Sequence, residues 1–454
     1  MAKRAPARPQ PGRLALVLGG GAPTLTLMSG ALVALDEEGV AFDVIATSGA
    51  GMLVGLLYAA PKGTDRQTAL RETVNLGVHD AIYQRFPINY KVFYKPGQLA
   101  ELYYRMVMPW VHRLPQASSN QRLVKDLVHL WASMWSPSSL LPSSQGMCAA
   151  APWLEDVIDF EALRTFPADF LLNAWNIRAR RMDIFDKTEI TPDHFRAGLA
   201  FPLIYPPFRM NGDHYFEGSA MDTLNLRGLL RYDMAHNRSL PGLLRREIAT
   251  RWADIVKAAA KGGLEGEHRV ADLVDKAIWE SHKASLELRD APQDRVDAAL
   301  MEAAATFVHL DADAFREVPQ VRAALDLQDG STGDIDAIDK IVVFDALGTA
   351  ELLHPPRDLY DAWIMQMIVP LVSISSENIR LFEKEYDYPE DHPRKILHRL
   401  RFADQISHAH WLNVLDWSYS NLETLFHAGY RAGKAFFAEH EWLRERTAVR
   451  GGAG

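Results

Sequence analysis

Phe42-Asp43-Val44-Ile45-Ala46-Thr47-Ser48-Gly49-Ala50-Gly51-Met52-Leu53-Val54-Gly55-Leu56-Leu57 reads as strand, tight turn and helix, with a serine at the turn. The β-branched, apolar run up to Ile45 suits a buried strand, and the apolar run from Met52 suits a buried helix. A serine between them has its hydroxyl thrust out at the end of a sheet, on a strained elbow beside a helix N-terminus. An acyl-transfer nucleophile is wanted at such a place. The same residues also suit a small-residue turn that only packs a strand against a helix.

On the N-terminal side, Leu14-Ala15-Leu16-Val17-Leu18 is short and wholly apolar, the mark of a central parallel strand. Gly19-Gly20-Gly21-Ala22 follows directly, and a helix is expected from Leu25 to Glu38, stopping at Gly39. This βαβα opening implies an α/β fold with a mainly parallel sheet between helical layers. Residues 62–165 differ. They are rich in aromatics, such as Tyr83, Phe93, Tyr103, Trp110, Trp131 and Trp135, and are broken by Ser136-Pro137-Ser138-Ser139 and Pro142-Ser143-Ser144. They read as a cap-like insertion of short helices and loops. The sheet returns at 169–176 and 181–185, and again at Lys340-Ile341-Val342-Val343-Phe344.

The expected organisation is a disordered tail over 1–12, a catalytic core over 13–232 and 337–385, a helical insertion over 233–336 and a C-terminal helical region over 386–454. Helices are predicted near 358–386, 394–407 and 410–446.

The chain has 454 residues, of which 48% are hydrophobic and 24% charged, ordinary for a soluble globular enzyme. Its net charge of −9, with no long basic block, argues against nucleic acid as a partner. The single cysteine, Cys148, rules out an intramolecular disulfide and fits a reducing, cytoplasmic setting. Two uncharged runs, 14–35 and 44–61, could pass for membrane or signal segments. Glycines at 19–21 and Pro23 interrupt the first and Thr47-Ser48-Gly49 breaks the second, so both read as strand plus helix.

Three pieces carry chemistry. The triple glycine lets the backbone turn its N–H groups toward one point, as a cradle for an oxyanion or a phosphate. A dinucleotide loop would also begin this way, but no acidic residue closes the next strand, where Ala46-Thr47-Ser48 stands instead. The second piece is Ser48. The third is Asn211-Gly212-Asp213-His214-Tyr215-Phe216-Glu217-Gly218-Ser219, which puts an acid in a glycine-containing turn after a short strand.

In this order the pieces resemble the patatin-like phospholipases. That family has a glycine-rich oxyanion loop after its first strand, a nucleophile serine in G-x-S-x-G, and a D-G-G or D-G-A turn that supplies the general base. The passage from Ala197 to Pro207 and the pair Asn225-Leu226 fit the same pattern. The resemblance implies a patatin-like three-layer core and a Ser–acid dyad, with Ser48 as nucleophile and Glu217 as base. It makes Gly20, Gly21 and Ala22 the oxyanion hole, with Thr47 and Gly49 shaping the elbow. It implies no metal and no cofactor.

The expected activity is hydrolysis of carboxylic esters of lipids through an acyl-enzyme. A lipid-binding or scaffold protein with degraded catalysis, and an acyltransferase or thioesterase using the same serine, are the alternatives. The departures are specific. Pro23 removes an N–H that could have served the oxyanion. Ala46 and Ala50 stand where G-x-S-x-G has glycines, and the acid is a glutamate, with Asp213 and Asp222 as nearby substitutes.

His408-Ala409-His410 could suggest a metal, but structural histidines are the better reading. Asp391-His392 and His214 are the places where a triad histidine would be sought, and charges spaced along 265–305 suit a solvated helix face. Aromatic residues beside Lys91, Lys95 and Arg113 suit a water–lipid boundary, so peripheral membrane contact through 62–165 is expected.

Overall fold

A computed structural model of the chain describes residues 12–236, 257, 260, 338–348, 350–387 and 395–451. The tail before residue 12, nearly all of the 233–336 insertion with its 265–305 helix, and Asp391-His392 lie outside the described residues.

The N-terminal elements are β1 (Arg13–Leu18), α1 (Leu25–Glu37), β2 (Val44–Thr47) and α2 (Gly51–Ala59). Six helices follow: α3 (Arg66–Glu72), α4 (Asp80–Tyr83), α5 (Gln98–His112), α6 (Ser119–Trp135), α7 (Leu154–Val157) and α8 (Phe160–Arg164). Then come β3 (Asp169–Asn176), β4 (Arg181–Asp186), α9 (Pro192–Gly198), β5 (Phe208–Met210), β6 (Asp213–Glu217) and α10 (Leu226–His236). The last elements are β7 (Ile338–Phe344), α11 (Leu359–Tyr386), β8 (Leu397–Leu400), α12 (Tyr419–Glu439) and α13 (Glu441–Gly451).

The chain divides into two compact units. The larger holds Leu16–Asn225, Val342–Ile379 and His398–Gly454, and the smaller holds Met1–Ala15, Leu226–Ile341 and Arg380–Leu397.

The larger unit is built on a mixed sheet, mostly parallel, with helices on both sides, as the sequence predicts. Its strands run in the order β5-β6-β3-β2-β1-β7-β8, with β4 paired to β3. β2 and β3 are parallel, Val44 opposite Asp169 and Thr47 opposite Leu172. β4 and β6 pair β3 antiparallel, and β5 pairs β6 antiparallel, so the sheet changes direction on the β3 side.

β2 is wholly buried, and α1 is buried from Leu25 through Leu35. A helix with no polar face needs cover on both sides. The sheet provides one side and α12 the other. Gly30 and Gly429 make the crossing possible: a Cβ on Gly30 would collide with the carbonyl oxygen of Phe426, and one on Gly429 with that of Leu27.

In the smaller unit Asp233 pairs with Arg13 at 3.6 Å and accepts the Ile338 N–H at 3.1 Å. Asp387 takes the N–H groups of Ile396 and Leu397 at 2.7 and 3.1 Å and meets Lys395 at 3.4 Å.

Two helix predictions need correction. Of the helix expected over 394–407, the described residues 395–407 are not helical in the expected way: β8 and a 3-10 turn at Ala403–Gln405 occupy this span. Ile396, Leu397 and Leu400 fit one helical face in spacing, but the Ile396 carbonyl takes the Ile341 N–H of β7 at 2.8 Å, and sheet pairing overrides the local pattern. The expected helix over 410–446 is three pieces, a 3-10 turn at His408–Asn413 and then α12 and α13, broken at Ser418 and His440. Within the first piece His410 hydrogen-bonds Asn421 at 2.7 Å, a structural role.

Candidate active site

The end of β2, the loop after β1 and the turn after β6 meet in the larger unit. The elbow is tied to β1 by the Ser48 N–H, which donates to the Leu18 carbonyl at 3.0 Å. Thr47 turns its hydroxyl to the Leu171 carbonyl at 2.8 Å and so locks the elbow to β3. Within the elbow the left-handed backbone falls on Gly49. Ser48 does not have a positive φ, whereas Gly49 has φ +52°. A Cβ at Gly49 would also strike Glu217 Oε1 and lie 2.8 Å from Ser219 Oγ, so two independent demands call for glycine. Gly51 permits the close approach of α2 to the end of β1, where a Cβ would meet the Leu18 carbonyl. Ala46 and Ala50 are accommodated, both buried, with Ala50 in ordinary right-handed geometry.

Ser48 is fully buried, and its hydroxyl donates to the Asp222 carbonyl oxygen at 2.9 Å. Glu217 ends β6, and its carboxylate accepts a short hydrogen bond from the Ser219 hydroxyl. Burial pushes the Glu217 carboxyl up to about 7, with the Ser219 hydroxyl pulling modestly the other way. A carboxylate so placed is near its optimum as a general base at neutral pH. Glu217 Oε1 abuts the Gly49 backbone, directly beside the serine.

The glycine loop is held by its first two amides. Gly19 donates to the Phe344 carbonyl at 3.2 Å and Gly20 to the Thr223 carbonyl at 3.1 Å. The Gly20 N–H, expected as an oxyanion donor, is therefore committed elsewhere in this conformation. Among the described residues, the amides of Gly21, Ala22 and Gly49 have no hydrogen-bond partner. Gly21 adopts φ +123°, with no room for a Cβ against Thr24 Oγ1. These amides and the start of α2 give the site its positive pole.

The two substitute acids are placed differently. Asp213 begins β6, at the far end from Glu217, about 13 Å along the strand at 3.3 Å per residue. It binds Arg178 at 2.6 Å and Asn176 at 3.0 Å. The Asp222 carboxylate is used by the Leu224 and Asn225 N–H groups at 3.2 and 3.0 Å and by Asn378 at 2.9 Å. His214 is exposed on β6. Among the described residues no group of three or more His, Cys, Asp or Glu could hold a metal ion.

Three participants escaped sequence reasoning. Ser219 stands where the family pattern has glycine or alanine, a polar substitution that could have drawn notice. The Gly49 N–H follows the serine, a position that donates to the oxyanion in serine hydrolases. The Asp222 carbonyl is backbone, and no residue type announces it.

A strand–serine–helix turn on a mostly parallel sheet, with a buried acid beside it, is an arrangement that serine hydrolases use. Residues 16–230, a little under half of the chain, match the Patatin-like phospholipase family. Among solved structures the chain is similar to VipD from Legionella pneumophila, at 14% identity and TM-score 0.25, over 47% of this chain and 46% of that one. The likeness thus spans less than half the length of VipD. No curated protein sequence matches the chain.

Proposed function

We propose that the chain hydrolyses carboxylic esters of lipids, such as phospholipids, lysophospholipids or acylglycerols, with Ser48 as nucleophile and Glu217 as base. One observation carries this reading. A buried carboxyl, raised to about 7, abuts the elbow next to a fully buried serine.

In the resting arrangement Ser48 faces the Asp222 carbonyl and Glu217 faces Ser219. Reaction requires the Ser48 hydroxyl to exchange that carbonyl for the Glu217 carboxylate. Ser48 Oγ then attacks the ester carbonyl carbon as its proton passes to Glu217. The oxyanion is received by the Gly21, Ala22 and Gly49 amides, each such donor typically contributing about 100- to 1000-fold. Collapse expels the alcohol, which takes the proton from Glu217. Water then attacks the acyl-enzyme, giving its proton to Glu217, and the Ser48 oxygen leaves with that proton as the fatty acid departs.

The protein would act in the cytoplasm, at a membrane surface. Among the described residues no helix is long and apolar enough to cross a membrane.

The test is labelling by a fluorophosphonate together with fatty-acid release from phospholipid, for the native chain and Ser48→Ala. Both signals should be present in the first and absent in the second. Absence of labelling in the native chain would favour a lipid-binding protein with degraded catalysis. Turnover of acyl thioesters without ester hydrolysis would favour the transferase or thioesterase reading.

A further inference from the structure

α6 is built inside out. Its buried positions include Asp126 and His129, while Val124, Leu127, Val128, Trp131, Met134 and Trp135 stand exposed. The exposed set recurs at three- and four-residue intervals and so forms one stripe along the helix. On the buried side Asp126 meets Lys91 Nζ at 2.7 Å and accepts the His79 N–H at 2.7 Å. Burial holds His129 neutral, its pKa lowered to about 3.

α5 presents a second stripe, Leu99, Leu102, Met106 and Trp110, also exposed. Both helices bury their other faces in one cluster of Tyr94, Tyr104, Met108, Val111 and Ala132, so both stripes point away from it. Trp110, Trp131 and Trp135 are 70%, 61% and 72% exposed. A water-facing helix gains nothing by this arrangement, and stripes of this size mark a surface with a partner.

The charges say which partner. Residues 85–135 carry Arg85, Lys91, Lys95, Arg105, Arg113, Arg122 and Lys125 against Glu101 and Asp126, in a chain of net −9. Arg85, Arg105 and Arg113 are exposed, and the Arg113 guanidinium lies 5.5 Å from the Trp110 ring centroid. Beyond α6, residues 136–153 contain no charged residue, and Leu140 and Leu141 are exposed there. Indole rings beside arginines, on an apolar helical face, match the boundary layer of a bilayer with anionic headgroups.

We propose that the α5–α6 hairpin is a docking surface for anionic lipid bilayers, with the three tryptophans entering the headgroup layer and Arg113, beside Trp110, meeting anionic headgroups. This deepens the lipid-hydrolase reading by naming the surface the substrate would come from, but it stands on the hairpin alone and does not depend on turnover.

The test uses full-length Ser48→Ala protein, so that binding is read apart from hydrolysis, with vesicles of phosphatidylcholine alone or mixed with phosphatidylglycerol. The protein should pellet with the anionic vesicles, with blue-shifted Trp fluorescence, and binding should weaken as salt rises. Trp110→Ser/Trp131→Ser/Trp135→Ser should lower partitioning by about tenfold or more, since these rings provide the apolar contact. Because the three rings are exposed, circular dichroism of the variant should be unchanged. Arg113→Glu should weaken the preference for anionic vesicles and keep the fold.

Failure of the protein to pellet with either vesicle, or unchanged binding by both variants, would overturn the proposal. So would a concentration-dependent dimer in sedimentation equilibrium that the tryptophan variant abolishes, since the hairpin would then pair with a second copy. None of these failures would touch the fluorophosphonate result that tests Ser48.

Discussion

The end of the sheet and the α5–α6 hairpin obey opposite rules. At the sheet end, polar groups are buried and tied to backbone: Ser48 to Asp222, Thr47 to Leu171, the Asp222 carboxylate to two N–H groups and Asn378. At the hairpin, apolar groups stand in solvent, including three tryptophans. A cavity of about 1070 Å³ lies between α5, α6 and the segment 149–156, with Tyr94, Tyr104, Met108 and Phe208 in its walls, and neither Ser48 nor Glu217 lines it. The contrast teaches that the two regions store different kinds of free energy. The sheet end holds desolvated polar groups whose pKa values and reactivity are perturbed. The hairpin holds unburied apolar area that only a partner can remove from water.

Perturbing the two regions should therefore have unequal consequences. The largest effect is expected for Ser48→Ala, which should reduce kcat by roughly 1000-fold or more while the circular dichroism spectrum stays native. Retained ester hydrolysis by the purified variant would break the contrast, because the sheet end would then be structural only.

Glu217→Gln should lower kcat by about 100-fold or more, the scale of a lost general base. Asp213→Asn should leave kcat nearly unchanged, and the reverse outcome would move the base to the other end of β6. The native enzyme should gain activity as pH rises through about 7, where Glu217 loses its proton. Stability runs the other way. The folded-state pKa is raised above the ordinary 4.5, so this contribution is fully present below 4.5 and is lost as pH rises through about 7. Above that pH, Glu217→Gln should raise stability by roughly 3 kcal/mol at most, read as a higher midpoint in urea, with little gain near pH 4.

Gly49→Ala combines a left-handed backbone with a Cβ that strikes Glu217. It should destabilise the fold by about 1–3 kcal/mol and lower labelling by fluorophosphonate. The opposing control is Trp131→Ser on the hairpin, which should change stability by no more than about 0.5 kcal/mol, because the ring is 61% exposed. A large loss there would show that the hairpin face is already buried in solution.

The smallest expected effect sharpens the picture of Glu217. Its hydrogen bond from Ser219 lowers its pKa, so Ser219→Ala should move the ascending limb of the pH–rate profile upward. A downward move, or none, would mean that Ser219 does not set the charge of Glu217.

The sequence by itself determined the strand–serine–helix unit, the glycine loop after β1 and the order in which loop, serine and acid appear. Each is a local pattern: apolar runs of strand length, glycines where the backbone must turn, and a helix that starts at the turn. The tertiary structure decided what those residues do to one another. Whether the Gly20 amide is available depends on the Thr223 carbonyl, some two hundred positions away, and whether Glu217 is raised depends on how completely the fold buries it.

β8 was misread for the same reason. Ile396, Leu397 and Leu400 suit a helix by spacing, and the peptide groups of β7 make them a strand. The hairpin's polarity was equally hidden. Helical spacing shows that α6 has a polar and an apolar side, but only the positions of Lys91 and His79 decide that the polar side faces inward. A local pattern fixes which residues share a face, and long-range packing fixes which face meets water, because the free energy of burial belongs to the contact and not to the segment.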